Sequence, residues 1–176
     1  HSNLMFCGTL DYQPNKNGLL WFYKKIWPEL KQSIEAISLT IVGRNGHDQA
    51  YEPLKKDYQI NFVGEVGDLA PYYEKSDLAI VPLLEGSGTR LKILEAMSFG
   101  VPVISTSIGA EGIDTINNTN ILIADGPEFF TSSITNVLEN RPKLRCLSKN
   151  GMALIETKYN WQQIINELVN NLIKNK

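Results

Sequence analysis

Pro82-Leu83-Leu84-Glu85-Gly86-Ser87-Gly88-Thr89-Arg90-Leu91-Lys92-Ile93-Leu94-Glu95-Ala96-Met97-Ser98-Phe99-Gly100-Val101-Pro102-Val103-Ile104 is the most informative segment of this chain. An apolar run ends at Pro82, a loop with two glycines follows, and a helical pattern then leads through Gly100 into a second apolar run. Glycines in a tight strand-to-helix loop let backbone amides come close to a ligand. The helix beyond it points its unpaired amides and positive dipole end at the same loop, which is an anion site in outline. Arg90 and Lys92 add two cations to the first turn, where each opposes the dipole by a few tenths of a kcal/mol or more when unpaired, so ~0.3 kcal/mol at least. An incoming phosphate or diphosphate accounts for that concentration of charge better than the fold alone does. Glu95 lies three residues after Lys92 on an otherwise apolar helix. Either it forms a plain Lys–Glu pair on a solvated face, or it is a half-buried carboxylate that needs donors such as ribose hydroxyls.

Outward from this stretch, short apolar runs alternate with helical ones, the pattern of a parallel sheet covered on both faces. Strands are expected at 4–8, 38–43, 60–64, 78–83, 101–105 and 120–124, and helices at 18–33, 50–56, 69–75, 89–99 and 128–139. The predicted class is α/β, a Rossmann-like doubly wound parallel sheet. From Trp161 onward Trp161, Ile164, Ile165, Leu168, Val169, Leu172 and Ile173 recur at helical spacing after Asn160, a good N-cap, so a C-terminal amphipathic helix is expected. No repeat, low-complexity tract or linker interrupts the chain, and residues 1–176 read as one domain.

Composition narrows the functions. A net charge of −2 favours neither nucleic acid nor an anionic membrane. Two cysteines are too few for a disulfide framework, and with two histidines they share no metal-ligand spacing, so neither metal nor other cofactor is expected. Without an apolar run near the ~20 residues of a membrane span or a secretory pattern, a cytoplasmic location is expected, peripheral to the inner membrane face at most. Ligands of an open parallel sheet sit beyond the carboxyl ends of the strands, where strand order reverses. That rule selects the loops at 8–18, 43–47, 64–68, 82–89 and 105–113.

The ordered set Phe6-Cys7-Gly8-Thr9, Thr40-Ile41-Val42-Gly43-Arg44, Phe62-Val63-Gly64-Glu65-Val66, Asp77-Leu78-Ala79-Ile80-Val81-Pro82 and the stretch from Gly86 to Ile104 resembles one family. It is similar to the C-terminal, donor-binding domain of the group 1 (family 4) retaining glycosyltransferases of the GT-B fold, and the likeness covers essentially the whole chain. The resemblance implies sugar transfer from a nucleoside diphosphate sugar to a glycan or lipid-linked acceptor, by a hexosyltransferase whose N-terminal acceptor domain is absent here. This piece alone would then be inactive. It further implies that Glu95 holds the ribose, that Gly8 presents an amide to the phosphates, and that Gly43, Arg44 and Val66 border the base. Arg90 and Lys92 would contact the diphosphate and stabilise the leaving nucleotide, and the loop residues Gly88 and Thr89 would join them at the donor.

Two positions depart from the family pattern. Where relatives often carry a first glutamate against the transferred sugar, this chain has Ser87, with Glu85 two residues earlier. Where many carry an arginine after the first glycine, it has Thr9, with Lys16 some way beyond. Either Ser87 meets the sugar as a neutral group, or Glu85 reaches in, or the sugar is recognised differently, and Arg90 would replace the missing charge. A nucleotide-sugar 2-epimerase half or a non-enzymatic nucleotide-binding module are the alternatives. A dinucleotide fingerprint is missing from the first loop, Gly8-Thr9-Leu10-Asp11-Tyr12-Gln13.

Overall fold

The computed structural model describes residues 1–86 and 90–160. Six parallel strands, β1 (Ser2–Cys7), β2 (Ile37–Val42), β3 (Ile60–Gly64), β4 (Leu78–Val81), β5 (Val103–Ser105) and β6 (Leu122–Ile123), form one sheet in the order β3-β2-β1-β4-β5-β6. The chain winds outward from β1 to one edge, returns beside β1 as β4, and winds to the other edge. The crevice between β1 and β4 is therefore the point where strand order reverses, as in the nucleotide-binding doubly wound folds.

Among the described residues eight α-helices cover the two faces: α1 (Gln13–Lys25), α2 (Trp27–Ser33), α3 (Glu52–Lys56), α4 (Ala70–Tyr73), α5 (Leu91–Ser98), α6 (Ser107–Ala110), α7 (Pro127–Glu139) and α8 (Arg141–Lys158). Alternation along the strands sends Leu4, Phe6, Leu39, Ile41 and Ile80 to a core with α1, α2 and α7. Met5, Val42, Ala79, Val81 and Val103 go to a second core with α4 and α5. Period-two alternation with both faces apolar is what a sheet buried on both sides requires. Leu144 and Leu147 of α8 belong to the first core and Leu154 to the second, so this helix closes both.

Several elements differ from the sequence reading. The helix expected at 18–33 is two helices, broken at Ile26, because Pro28 in the first turn of α2 lacks an N–H and crowds the preceding turn. α1 starts earlier than expected, at Gln13, with Pro14 in its first turn where the missing N–H costs nothing. The helix expected at 50–56 begins as a 3₁₀ turn (Gln49–Tyr51) that Asp48 caps by accepting from the Ala50 N–H. α6 and the 18-residue α8 were not anticipated. α8 had a local signature: Asn140 accepts from the Lys143 N–H, and Pro142 sits in the first turn. The amphipathic helix expected after Asn160 lies outside the described residues.

α1 is held against the carboxyl end of β4 through Gly18, where an added Cβ would stand 2.3 Å from the Pro82 carbonyl oxygen. Backbone cannot yield there as a flexible side chain can. In an open helix Gly→Ala would gain about 1 kcal/mol from propensity, whereas overpacking at a tight contact costs about 1–3 kcal/mol. Gly18→Ala is therefore expected to lower stability in urea melts, and a gain in stability would show that the contact is not a constraint.

Candidate functional site at the strand-order reversal

The loops after β1, β2 and β3 are locked backbone to backbone. The Gly8 N–H donates to the Val42 carbonyl (3.0 Å), Leu10 N–H to Arg44 (2.9 Å), and Gly43 N–H to Gly64 (2.8 Å). A Cβ on Gly43 would fall 1.9 Å from the Gly8 carbonyl oxygen, so only glycine lets these two turns touch. The β2–β3 register also slips between Ile41 and Val42, which bends the sheet end where the loops diverge. Between them lies a cleft of about 210 Å³ lined by Cys7, Gly8, Thr9, Gly43, Arg44 and Val66, among others.

Lys92, in the first turn of α5, reaches under this cleft. Its Nζ lies 2.9 Å from where a Gly8 Cβ would be, 5.0 Å from the centre of the Phe6 ring, and donates to Asn15 Oδ1. The buried Asn15 turns its amide N–H to the Thr9 carbonyl (2.8 Å), which fixes its orientation. No carboxylate lies within 4.0 Å of the ammonium among the described residues. Burial dominates its titration, opposed by the neighbouring Cys7 and reinforced by Arg90, and brings the Lys92 pKa down to about 8. Among the described residues no side chain caps α5.

Glu95 sits one turn further along α5 and accepts from the Tyr73 hydroxyl at 3.0 Å. Tyr73 is buried, stacked on Phe99 with ring centres 4.9 Å apart. Burial, then the nearby Cys7 and Glu95, drive its phenol upward, so it stays a donor. Burial and Glu95 likewise push the Cys7 thiol up. A carboxylate oriented by tyrosine beside a cleft is well set to receive hydroxyl groups.

The chain matches the model of the Glycosyl transferases group 1 family over residues 1–140. It belongs to that family. The group 1 chain is 30% identical over 174 residues to an uncharacterised 44.6 kDa protein in the cps region of Klebsiella pneumoniae, covering 94% of this chain and 45% of that protein. It is 34% identical over 100 residues to the lipopolysaccharide core biosynthesis mannosyltransferase LpsB of Rhizobium meliloti, covering 54% and 28% respectively. The chain thus spans less than half the length of these curated relatives. In fold it is similar to the C-terminal domain of a glycosyl transferase group 1 protein from Francisella tularensis, with a TM-score of 0.75 at 17% identity over 91% of this chain and 87% of that one. It is also similar to HepE of Anabaena, solved with UDP and glucose, with a TM-score of 0.77 at 16% identity over 97% and 47%.

Within this group 1 domain the structure gathers Gly8, Thr9, Gly43, Arg44 and Val66 around one cleft, with Lys92 beneath it and Glu95 beside Cys7 on its wall. The paired reading of Lys92 with Glu95 does not hold, since each is engaged by a neutral side chain instead. Arg90 is buried and turned onto two backbone carbonyls. Glu85 is exposed at the rim, where the Asn17 side-chain amide donates to it. Lys16 pairs with Asp48 on the surface and takes no part. Ser87, Gly88 and Thr89 lie outside the described residues.

Asn15, Phe6 and Tyr73 were missed as parts of the site. Asn15 had a faint signal, being a polar residue in the first turn of an apolar-faced helix. Phe6 and Tyr73 are buried in the two cores, with the site resting on them.

A depressed lysine pKa makes a test of the buried charge. The unfolded chain binds the Lys92 proton up to about pH 10.5, whereas the folded chain releases it from about 8. Stability therefore carries the full penalty below pH 8 and recovers as pH rises to 10.5. Relative to Lys92→Met, which has no such penalty, the wild-type protein should gain stability across that window in urea melts. Parallel pH profiles for the two would show that the ammonium is not buried.

Proposed function

We propose that this domain binds the donor of a glycosyltransferase, a nucleoside diphosphate sugar, and that Lys92 neutralises the diphosphate as it departs. The observation that carries the reading is the Lys92 ammonium, partly buried at the β1–β4 reversal with a neutral amide and a ring face as its partners. A cation held so low in a dry site favours whatever anion arrives. Charge accumulates on the leaving diphosphate in the transition state, so Lys92 acts most strongly where the barrier lies. The α5 amides add the helix dipole.

In this reading the diphosphate lies across Gly8 and the start of α5, and the base enters the cleft bordered by Gly43, Arg44 and Val66. The ribose meets Glu95, already oriented by Tyr73. The UDP in HepE and the mannosyltransferase name of LpsB support a hexose-type donor and a glycan or lipid-linked acceptor. Retention of anomeric configuration follows from the family resemblance. Residues 1–176 serve as the single donor-binding domain of a longer protein, whose other domain supplies the acceptor side. Among the described residues no helix is long and apolar enough to cross a membrane.

The protein should be titrated with UDP, GDP, ADP, UMP and NAD, following melting and then calorimetry. One nucleoside diphosphate at a hundred times its Kd should add about 2.7 kcal/mol of stability. A charge-assisted hydrogen bond is worth about 1.5–3 kcal/mol, so Lys92→Ala should weaken that diphosphate roughly ten- to hundredfold. Glu95→Gln should cost about tenfold on the nucleoside as well, by loss of one such bond. Wild-type affinity should hold below pH 8 and fall above it as Lys92 deprotonates. Binding of NAD alone, or indifference of the diphosphate to Lys92→Ala, would sink the proposal.

A further inference from the structure

Arg90 is 6% exposed, and both Nη2 protons are spent on backbone. One goes to the Gly86 carbonyl (2.8 Å) and the other to the Ile108 carbonyl (2.9 Å). Gly86 belongs to the loop after β4 and Ile108 to α6, the element after β5. The Arg90 Nε is buried and has no acceptor among the described residues. The Glu111 carboxylate is 3.9 Å away and 75% exposed, a loose counter-ion. Keeping a guanidinium dry with a donor unmet is costly, and its two carbonyls are the return for that cost.

Other bonds fasten the same two segments. The Thr106 hydroxyl donates to the Leu83 carbonyl, and Ser105 Oγ to that of Val81 (3.2 Å). Thr106 Oγ1 also accepts from the Gly109 N–H (3.0 Å) and so caps α6. Gly109 has no room for a Cβ, which would lie 2.3 Å from Ser105 Oγ and 2.9 Å from the Val81 carbonyl oxygen. On its far side α6 is anchored by Asp125, which accepts from the Ser107 N–H and hydroxyl. Arg90 brings a cation to this set, and it stands directly before the helix that carries Lys92.

We infer that Arg90 is a positioning residue: its guanidinium ties Gly86, in the loop after β4, to Ile108 of α6 at the start of the helix that carries Lys92, and does not touch the diphosphate. The binding half of this inference rests on the donor-site reading; the coupling half does not. The groups that bear on Lys92 are Arg90 from its own loop and Cys7 from β1, with Glu95 of α5 and Tyr73 of α4 behind Cys7. Asn15 of α1 is neutral. Removing the like charge of Arg90 lets the Lys92 pKa rise.

Arg90→Lys and Arg90→Ala, made in the whole chain, separate charge from bridging. Arg90→Lys keeps the charge but cannot span two carbonyls with one fork. By hydrogen exchange without ligand, amides at 83–86 and at 108–111 should quicken together, by about tenfold, in both variants. With UDP as probe, both variants should bind about tenfold more weakly at neutral pH. The pH above which affinity falls should move upward in Arg90→Ala and stay in place in Arg90→Lys. Wild-type UDP affinity in Arg90→Lys, or faster exchange confined to 83–86, would overturn the inference. Coupled exchange without any UDP binding by the unsubstituted protein would instead refute the donor reading and leave the coupling established.

Discussion

The empty Cβ position at Gly8 is the constraint on which the site depends. Asn15 and Lys92 converge on the space a side chain would fill, from helices on opposite faces of the sheet. α1 can bring Asn15 there because Gly18 lets it settle on the Pro82 carbonyl, and α5 brings Lys92 because its strand, β4, returns beside β1. Gly43 repeats the device one strand away, making room for the Gly8 carbonyl itself. The strand-order reversal thus becomes a place where backbone, an amide and an ammonium meet in close packing.

Electrostatically the site is incomplete. Among the described residues Lys92 lacks a carboxylate within reach, Arg90 has a distant one, and no side chain caps α5. Unpaired charge of this kind lowers the stability of a folded protein, the trade between stability and function seen where charge is held ready. Neutral groups hold these cations in place: Asn15 and Phe6 for Lys92, two carbonyls for Arg90. Neutral partners orient a cation without cancelling its field. A Lys92–Glu95 pair would have cancelled it, and Tyr73 keeps Glu95 occupied elsewhere.

Much of this was legible before folding. The six strands and the β4-loop-α5 unit follow from apolar runs, glycines and charges that are local in the chain, whereas the placing of Gly8, Gly43, Val66 and Glu95 at one site came from the family resemblance. Boundaries were less so: Pro28 broke a helix whose apolar pattern ran through it, and α8 was passed over despite Asn140 and Pro142. Arg90 was legible as a cation near a loop, but its direction was not. Whether it faces a ligand or two carbonyls depends on where α6 lies, and that short helix has almost no periodicity to announce it.

Legible in the sequence were the class of fold, the loops at the carboxyl ends of the strands, and the surplus positive charge in one of them. These depend on periodicity and composition within a few residues, which the chain carries openly. Only the tertiary structure decided the partners. Asn15 and Lys92 lie 77 positions apart, and Arg90 lies before α5 while Ile108 is in α6. Such contacts form when packing brings distant elements together, and a partner so far along the chain leaves no trace in the local sequence.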